Sequence, residues 1–125
     1  MGHHCIRSGG AHGPQDEVAS RIEPLFQRHG VDLYVSGHDH DLQLLCTESG
    51  WLQLVSGAGS CLRNAGWTQD TLFAEAKPGF VSLLITSEEL RIEFFATTEG
   101  LVHAHAVRKT SARAGAELEP MVRNS

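Results

Sequence analysis

The sequence predicts a mixed α/β fold, α+β in character: one helix–strand unit followed by antiparallel strands. Three observations predict it. An amphipathic run at residues 16–29 stops at Gly30 and leads into a short apolar run at 31–36. The polar turn "GHDHD" follows directly, at the carboxyl end of that run, where α/β proteins place their ligands. Beyond it the chain alternates short apolar runs with turn residues, the pattern of antiparallel hairpins.

Residues 1–15, "MGHHCIRSGGAHGPQ", are rich in Gly and His and read as loop. The helix over 16–29 is supported at its start by Asp16 and Glu17, which suit a helix N-terminus. Val18, Ile22, Leu25 and Phe26 recur at helical spacing. Pro24 lies inside that run and predicts a kink or a broken first half, and Gly30 a C-terminal stop. "VDLYVS" (31–36) is a short, mostly apolar strand that predicts burial on both faces. "LQLLC" (42–46) and "WLQLVS" (51–56) are strands around a "TESG" turn, and 57–66 is loop. Residues 67–79 show no clear period. "FVSLLIT" (80–86) and "LRIEFFAT" (90–97) form a hairpin around Ser87, Glu88 and Glu89, and "LVHAHAV" (101–107) is a third strand. Residues 1–107 form the domain, and the polar, small-residue stretch 108–125 reads as a disordered tail.

The formal net charge of −5 lacks the basic footprint of a nucleic-acid binder. No apolar run approaches the roughly 18 residues a bilayer requires, so no membrane partner is expected. No signal peptide is visible at Met1, and the compartment stays unknown. The three cysteines, Cys5, Cys46 and Cys61, have no framework spacing and read as free thiols. Of the eight histidines, five fall in two stretches: His3, His4 and His12, then His38 and His40. Neutral imidazole is a common ligand for Zn, Fe, Mn and Cu. Two histidines at i and i+2 on a strand share a face, whereas on a tight loop they can diverge toward two points, each aimed at a metal. His29 is explained by the favourable charge of a cation at a helix C-terminus. His103 and His105 alternate on a late strand and are expected to be exposed.

"GHH", then "SGGAHG", the helix, "GVDLYVSGHDHDLQ" and "LVSGAGS" together resemble the carboxyl-terminal half of the calcineurin-like metallophosphoesterases. The resemblance is to the purple, tartrate-resistant acid phosphatase type and runs from Gly2 to about Val107. It implies the carboxyl-terminal part of a four-layer α/β/β/α sandwich with a two-metal site between facing sheets. It also implies hydrolysis of phosphomonoesters. By this resemblance His3 and His38 are ligands of the divalent metal, and His40 is a ligand of the other, ferric in purple members. The metals would be Fe with Fe, Zn or Mn. His12 would contact substrate phosphate and help protonate the leaving group. His4 would line the site. Asp39 or Asp41 would orient a ligand histidine, with simple turn chemistry the equal alternative. "GAGS" (57–60) predicts close backbone packing near the site.

Several of the family's ligands, namely two aspartates, a tyrosine and the asparagine of a "GNH" motif, are not found in this sequence. Tyr34 lies in a strand pattern and is a poor substitute for that tyrosine. Cys5 stands where such motifs carry proline. His3, so near Met1, is expected on a frayed end. The expectation is therefore a fragment of a metallophosphatase, with weak metal binding and negligible activity alone. Three readings follow: the carboxyl half of a phosphate-ester hydrolase, with an amino-terminal half as its missing partner; a non-catalytic metal- or partner-binding remnant; or a single-metal binder using His38, His40 and His3.

Overall fold

The structure, a computed structural model, describes residues 1–109 and the backbone of Arg123–Asn124. Most of the expected tail, 108–125, lies outside these residues. The chain divides into two units, Met1–Phe80 and Val81–Ser125.

In the first unit, helix α1 covers Asp16–His29 without interruption. The expected break at Pro24 does not occur. Pro24 is exposed, so the carbonyl that loses its donor can turn to water. Gly30 adopts φ +63° and its N–H closes the helix on the carbonyls of the last turn, a conformation that glycine reaches without a Cβ clash. Strands β1 (Leu33–Ser36), β2 (Leu42–Cys46), β3 (Leu52–Ser56) and β4 (Thr71–Glu75) form one sheet in the order β1-β3-β2-β4. β1 runs parallel to β3, as a strand delivered by a helix does, and the other pairs are antiparallel. β1 is half-buried rather than buried on both faces, because it lies at the margin of this sheet. β4 arises within the stretch whose period was unreadable. A register shift at Leu44/Leu45 breaks the alternation where β4 pairs with β2.

Ile6, Ala19 and Trp51 form a core with Ile22, Phe26 and Tyr34 packed around it. This core seats α1 and the N-terminal loop together. Two fully buried glutamines then fix that loop. Gln53 of β3 accepts hydrogen bonds from the backbone N–H groups of Ile6 (3.0 Å) and Arg7 (3.3 Å) and donates to Ser36 Oγ (2.9 Å). Gln43 of β2 accepts from the Gly9 N–H (2.9 Å) and donates to Ser8 Oγ (3.0 Å) and Asp41 Oδ1 (2.7 Å). Arg7 adds a bidentate pair with Glu23 of α1, at 2.8 and 3.0 Å.

The second unit carries β6 (Glu89–Ala96), β7 (Gly100–Arg108) and the short β8 (Arg123–Asn124); with β5 (Gly79–Ile85) they form a sheet in the order β5-β6-β7-β8. Leu90, Ile92, Phe94 and Ala96 alternate inward along β6. The antiparallel register sets His105 opposite Ile92 and His103 opposite Phe94. Directly opposed residues share a face, so the expected exposure of this pair is not found: His105 is buried and His103 half-buried. Burial, reinforced by His103, lowers the His105 pKa, and its Nε2 has no hydrogen-bond partner among the described residues.

Candidate active site

Residues 2–13 do not fray. The Gly2 N–H donates to the Val35 carbonyl (3.0 Å) and the Gly37 N–H to the His3 carbonyl (3.1 Å), which lays His3 beside the end of β1. Tyr34 OH donates to the His4 carbonyl (3.1 Å), so the only tyrosine serves to hold this segment. Ser36 Oγ and the Gly37 carbonyl bracket the buried Cys5 thiol, whose pKa burial raises. Cys5 is thus a packing residue.

The turn after β1 brings its histidines to the same place. His38 has φ +61°, a left-handed backbone that a non-glycine residue adopts at a cost, and such residues cluster at functional sites. This twist separates His38 from His40, which a strand would have kept together. His38 Nδ1 lies 3.1 Å from His3 Nε2. Two nitrogens on one tetrahedral zinc, each about 2.0–2.1 Å from it, lie about 3.3 Å apart, so this spacing suits a shared ion. His3, His4 and His38 each offer a ring nitrogen within 4.8 Å of one another. The three imidazoles, without a carboxylate, suit one zinc-like ion and do not suit two. The pKa of His38 is lowered by desolvation and by His12, His4 and His3, which favours the neutral, ligand-competent ring.

His40 points elsewhere. Its Nδ1–H donates to the Cys61 carbonyl at 2.6 Å, which leaves Nε2 as its ligand atom but puts it outside the three-histidine group. His12 stacks beside His38, with ring centroids 4.2 Å apart. Its Nδ1–H donates to buried Asp39, which also accepts from Ser8 Oγ. Its Nε2 accepts from the Arg63 guanidinium at 2.8 Å. A guanidinium can only donate, so the ring is neutral here, with Nε2 facing outward. Asp39 therefore orients His12, which carries no metal assignment, rather than a ligand. Asp41 is also fully buried; burial and the charge of Asp39, against the Gln43 hydrogen bond, push its pKa up to about 6. Asp41 accepts from Gln43, and of the histidines read as ligands it is His40 whose charge acts on it. Gly10 lies over both carboxylates: a Cβ there would come within 2.6 Å of Asp41 Oδ2 and 2.7 Å of Asp39 Oδ2. Gly57, in the "GAGS" run, abuts the Asp39 carbonyl so closely that any side chain would collide with it.

Sequence reasoning missed Gln43, Gln53, Ser8 and Arg63. The available signal for the glutamines was a polar residue at the centre of two apolar runs, "LQLLC" and "WLQLVS".

No family model matches the chain. Purple acid phosphatase 4 of Arabidopsis thaliana is 37% identical over 108 residues, covering 82% of this chain and 32% of that protein. Tartrate-resistant acid phosphatase type 5 of Oryctolagus cuniculus is 32% identical over 103 residues, covering 74% of this chain and 32% of the relative. The chain is a homologue of the purple acid phosphatases. It spans about a third of the length of these curated relatives. Two solved structures share the purple acid phosphatase homologue's fold. GAP50, the anchor in the inner membrane complex of Plasmodium, superposes with a TM-score of 0.82 at 22% identity, over 89% of this chain and 36% of its own. Purple acid phosphatase PPD1 from yellow lupin seeds gives 0.69 at 19% identity, over 83% and 23%. One helix and two mostly antiparallel sheets are consistent with the carboxyl-terminal domain of a purple acid phosphatase.

Proposed function

We propose that this chain carries the histidine portion of a metal-dependent phosphomonoesterase of the acid phosphatase type, acting on phosphate esters. The observation that carries the reading is the juxtaposition of the His3–His38 pair with the Asp39–His12–Arg63 row. His3 and His38 hold one metal ion and His4 offers a third nitrogen. His40, through Nε2, serves a second ion in a complete dinuclear site, with Fe paired with Fe, Zn or Mn. An ion held by these residues would supply a water of lowered pKa and neutralise phosphate charge. His12 delivers a proton to the leaving oxygen from Nε2, and Asp39 holds the ring so that this nitrogen faces the ester. The carboxylates that would bridge two ions are not among the residues gathered here, so the chain alone binds one ion and turns over poorly.

A second reading, a non-catalytic binding chain on the phosphatase fold, is supported by the likeness to GAP50, an anchor by its own description. Zinc titration of the full chain, followed by assay with para-nitrophenyl phosphate, separates the two. We expect one zinc per chain, affinity falling more than about tenfold in His3→Ala or His38→Ala, measurable binding of orthophosphate to the zinc-loaded protein, and turnover near the blank. A chain that takes no zinc overturns the phosphoesterase reading. One that takes zinc but no orthophosphate favours the non-catalytic one, and robust turnover overturns the claim that the site is incomplete.

A further inference from the structure

Arg63 is a cation at the edge of the histidine group. Among the described residues no carboxylate lies within ion-pair distance of it, and the one hydrogen bond of its guanidinium there goes to His12 Nε2. It is exposed, yet its place is not accidental. The loop between β3 and β4 is pinned at both ends by glycines: Gly57 abuts Asp39, and the Gly66 N–H donates to the Gly9 carbonyl at 2.9 Å. In between, His40 grips the loop twice. Its Nδ1–H donates to the Cys61 carbonyl, and its own carbonyl accepts from the Arg63 N–H at 3.1 Å. The backbone of the turn that carries His38 and His40 thus sets where Arg63 stands.

A guanidinium gains little from an imidazole nitrogen and much more from an anion, to which it can bond with two parallel N–H groups. The order of groups is also informative. The His38 ring lies against the His12 ring, and Arg63 bonds His12 Nε2, the nitrogen that would protonate the leaving oxygen. An ester whose phosphoryl group sits against the histidine pair therefore projects its leaving group toward Arg63. We propose that Arg63 is a specificity residue that binds a negative charge on the leaving group, and that the site favours phosphate monoesters of acidic rather than neutral alcohols. Binding such a group draws Arg63 away from His12 Nε2 and frees that nitrogen. The proposal rests on the phosphoesterase reading.

The test uses two non-hydrolysable probes, phenylphosphonate and para-carboxyphenylphosphonate, titrated calorimetrically into the full chain with one equivalent of zinc. The unsubstituted protein should bind the carboxylated probe about tenfold more tightly, the worth of one charge-assisted contact. Arg63→Ala should erase that preference, weakening the carboxylated probe about tenfold more than phenylphosphonate, and Arg63→Lys should keep part of it, the charge surviving without the fork. Preference that is absent in the unsubstituted protein, or that survives Arg63→Ala, overturns this role and leaves the phosphoesterase reading standing. If neither probe binds the unsubstituted protein, both fall.

Discussion

His38 concentrates the conflict between stability and function at a single residue. Its φ of +61° suits glycine, and its ring is set against His3, His4 and His12, with centroids 5.0, 4.3 and 4.2 Å away. A left-handed backbone costs a non-glycine residue about 1–2 kcal/mol, and a glycine there costs about 0.5–1 kcal/mol in unfolded-state entropy. Substituting glycine should therefore leave the metal-free protein as stable or up to ~1 kcal/mol more stable, while removing a ligand to the ion. We expect His38→Gly to melt in EDTA at or above the temperature of the unsubstituted protein, and to lose zinc affinity by about 100-fold or more. If the glycine variant melts lower in EDTA, the backbone at His38 carries no strain and its dihedral is no argument for a site. Arg63 shows the limit of reading single residues from sequence. A lone cation in a loop without period normally stays in solvent, and only the backbone bonds of Cys61 and Arg63 to His40 reveal that it is held against His12.

At the scale of elements, the site is a loop held on a sheet by two side chains. Gln53 gives its one carbonyl oxygen to two backbone N–H groups, Ile6 and Arg7, which have no other acceptor among the described hydrogen bonds. Gln53→Leu keeps the volume and the strand but leaves the buried Ile6 N–H and the half-buried Arg7 N–H without an acceptor, at about 1–3 kcal/mol for a buried group left unsatisfied. We expect this variant to lose about 2–4 kcal/mol in urea unfolding, with zinc affinity lowered as well, because residues 2–7 carry His3 and His4. Equal stability would mean that the loop is seated by Ile6 and Arg7 side chains alone. The elements themselves were largely legible. The helix was readable from its acidic start, its apolar spacing and Gly30, and β2, β3, β6 and β7 from runs bounded by turn residues. β4 was not, because Phe73 and Ala74 are buried as neighbours and the shift at Leu44/Leu45 removes the period-two signal. The burial of His103 and His105 was hidden because it depends on the β6–β7 register, which the strand sequence alone does not specify. His3, His12 and His38 lie together in the fold, His3 and His12 each beside His38. His40 was separated from them by the backbone twist at His38, which a sequence does not display.

Across the whole molecule, two buried groups make opposite demands on pH. Asp41, in the first unit, has a pKa raised from 3.8 to about 6, so the native state prefers its neutral form. Between those values the native state binds the proton more tightly than the unfolded chain does, and stability falls as pH rises. At about 1.4 kcal/mol per pH unit this interval amounts to ~3 kcal/mol, present below the lower value and absent above about 6. His105, in the second unit, has a pKa lowered from 6.5, so the native state again prefers the neutral ring. For a base the consequence reverses: its contribution is intact above 6.5 and is lost as pH falls through that value toward the lower native one. Acidification from neutral pH therefore relieves Asp41 while it penalises His105, and the metal-free protein should show a shallow stability profile in this range. Single substitutions separate the two terms. Asp41→Asn should raise stability by as much as ~3 kcal/mol near pH 7 and by almost nothing near pH 4, since the amide copies the neutral acid. His105→Leu should do the converse, removing the loss on acidification and also the cost, about 1 kcal/mol or more, of a buried Nε2 without a partner. Urea unfolding in EDTA across this range reads both. If Asp41→Asn gives the same gain at both ends, the Asp41 carboxyl titrates alike in the folded and unfolded chain. If His105→Leu leaves the slope unchanged, His105 is not the source of the acid sensitivity.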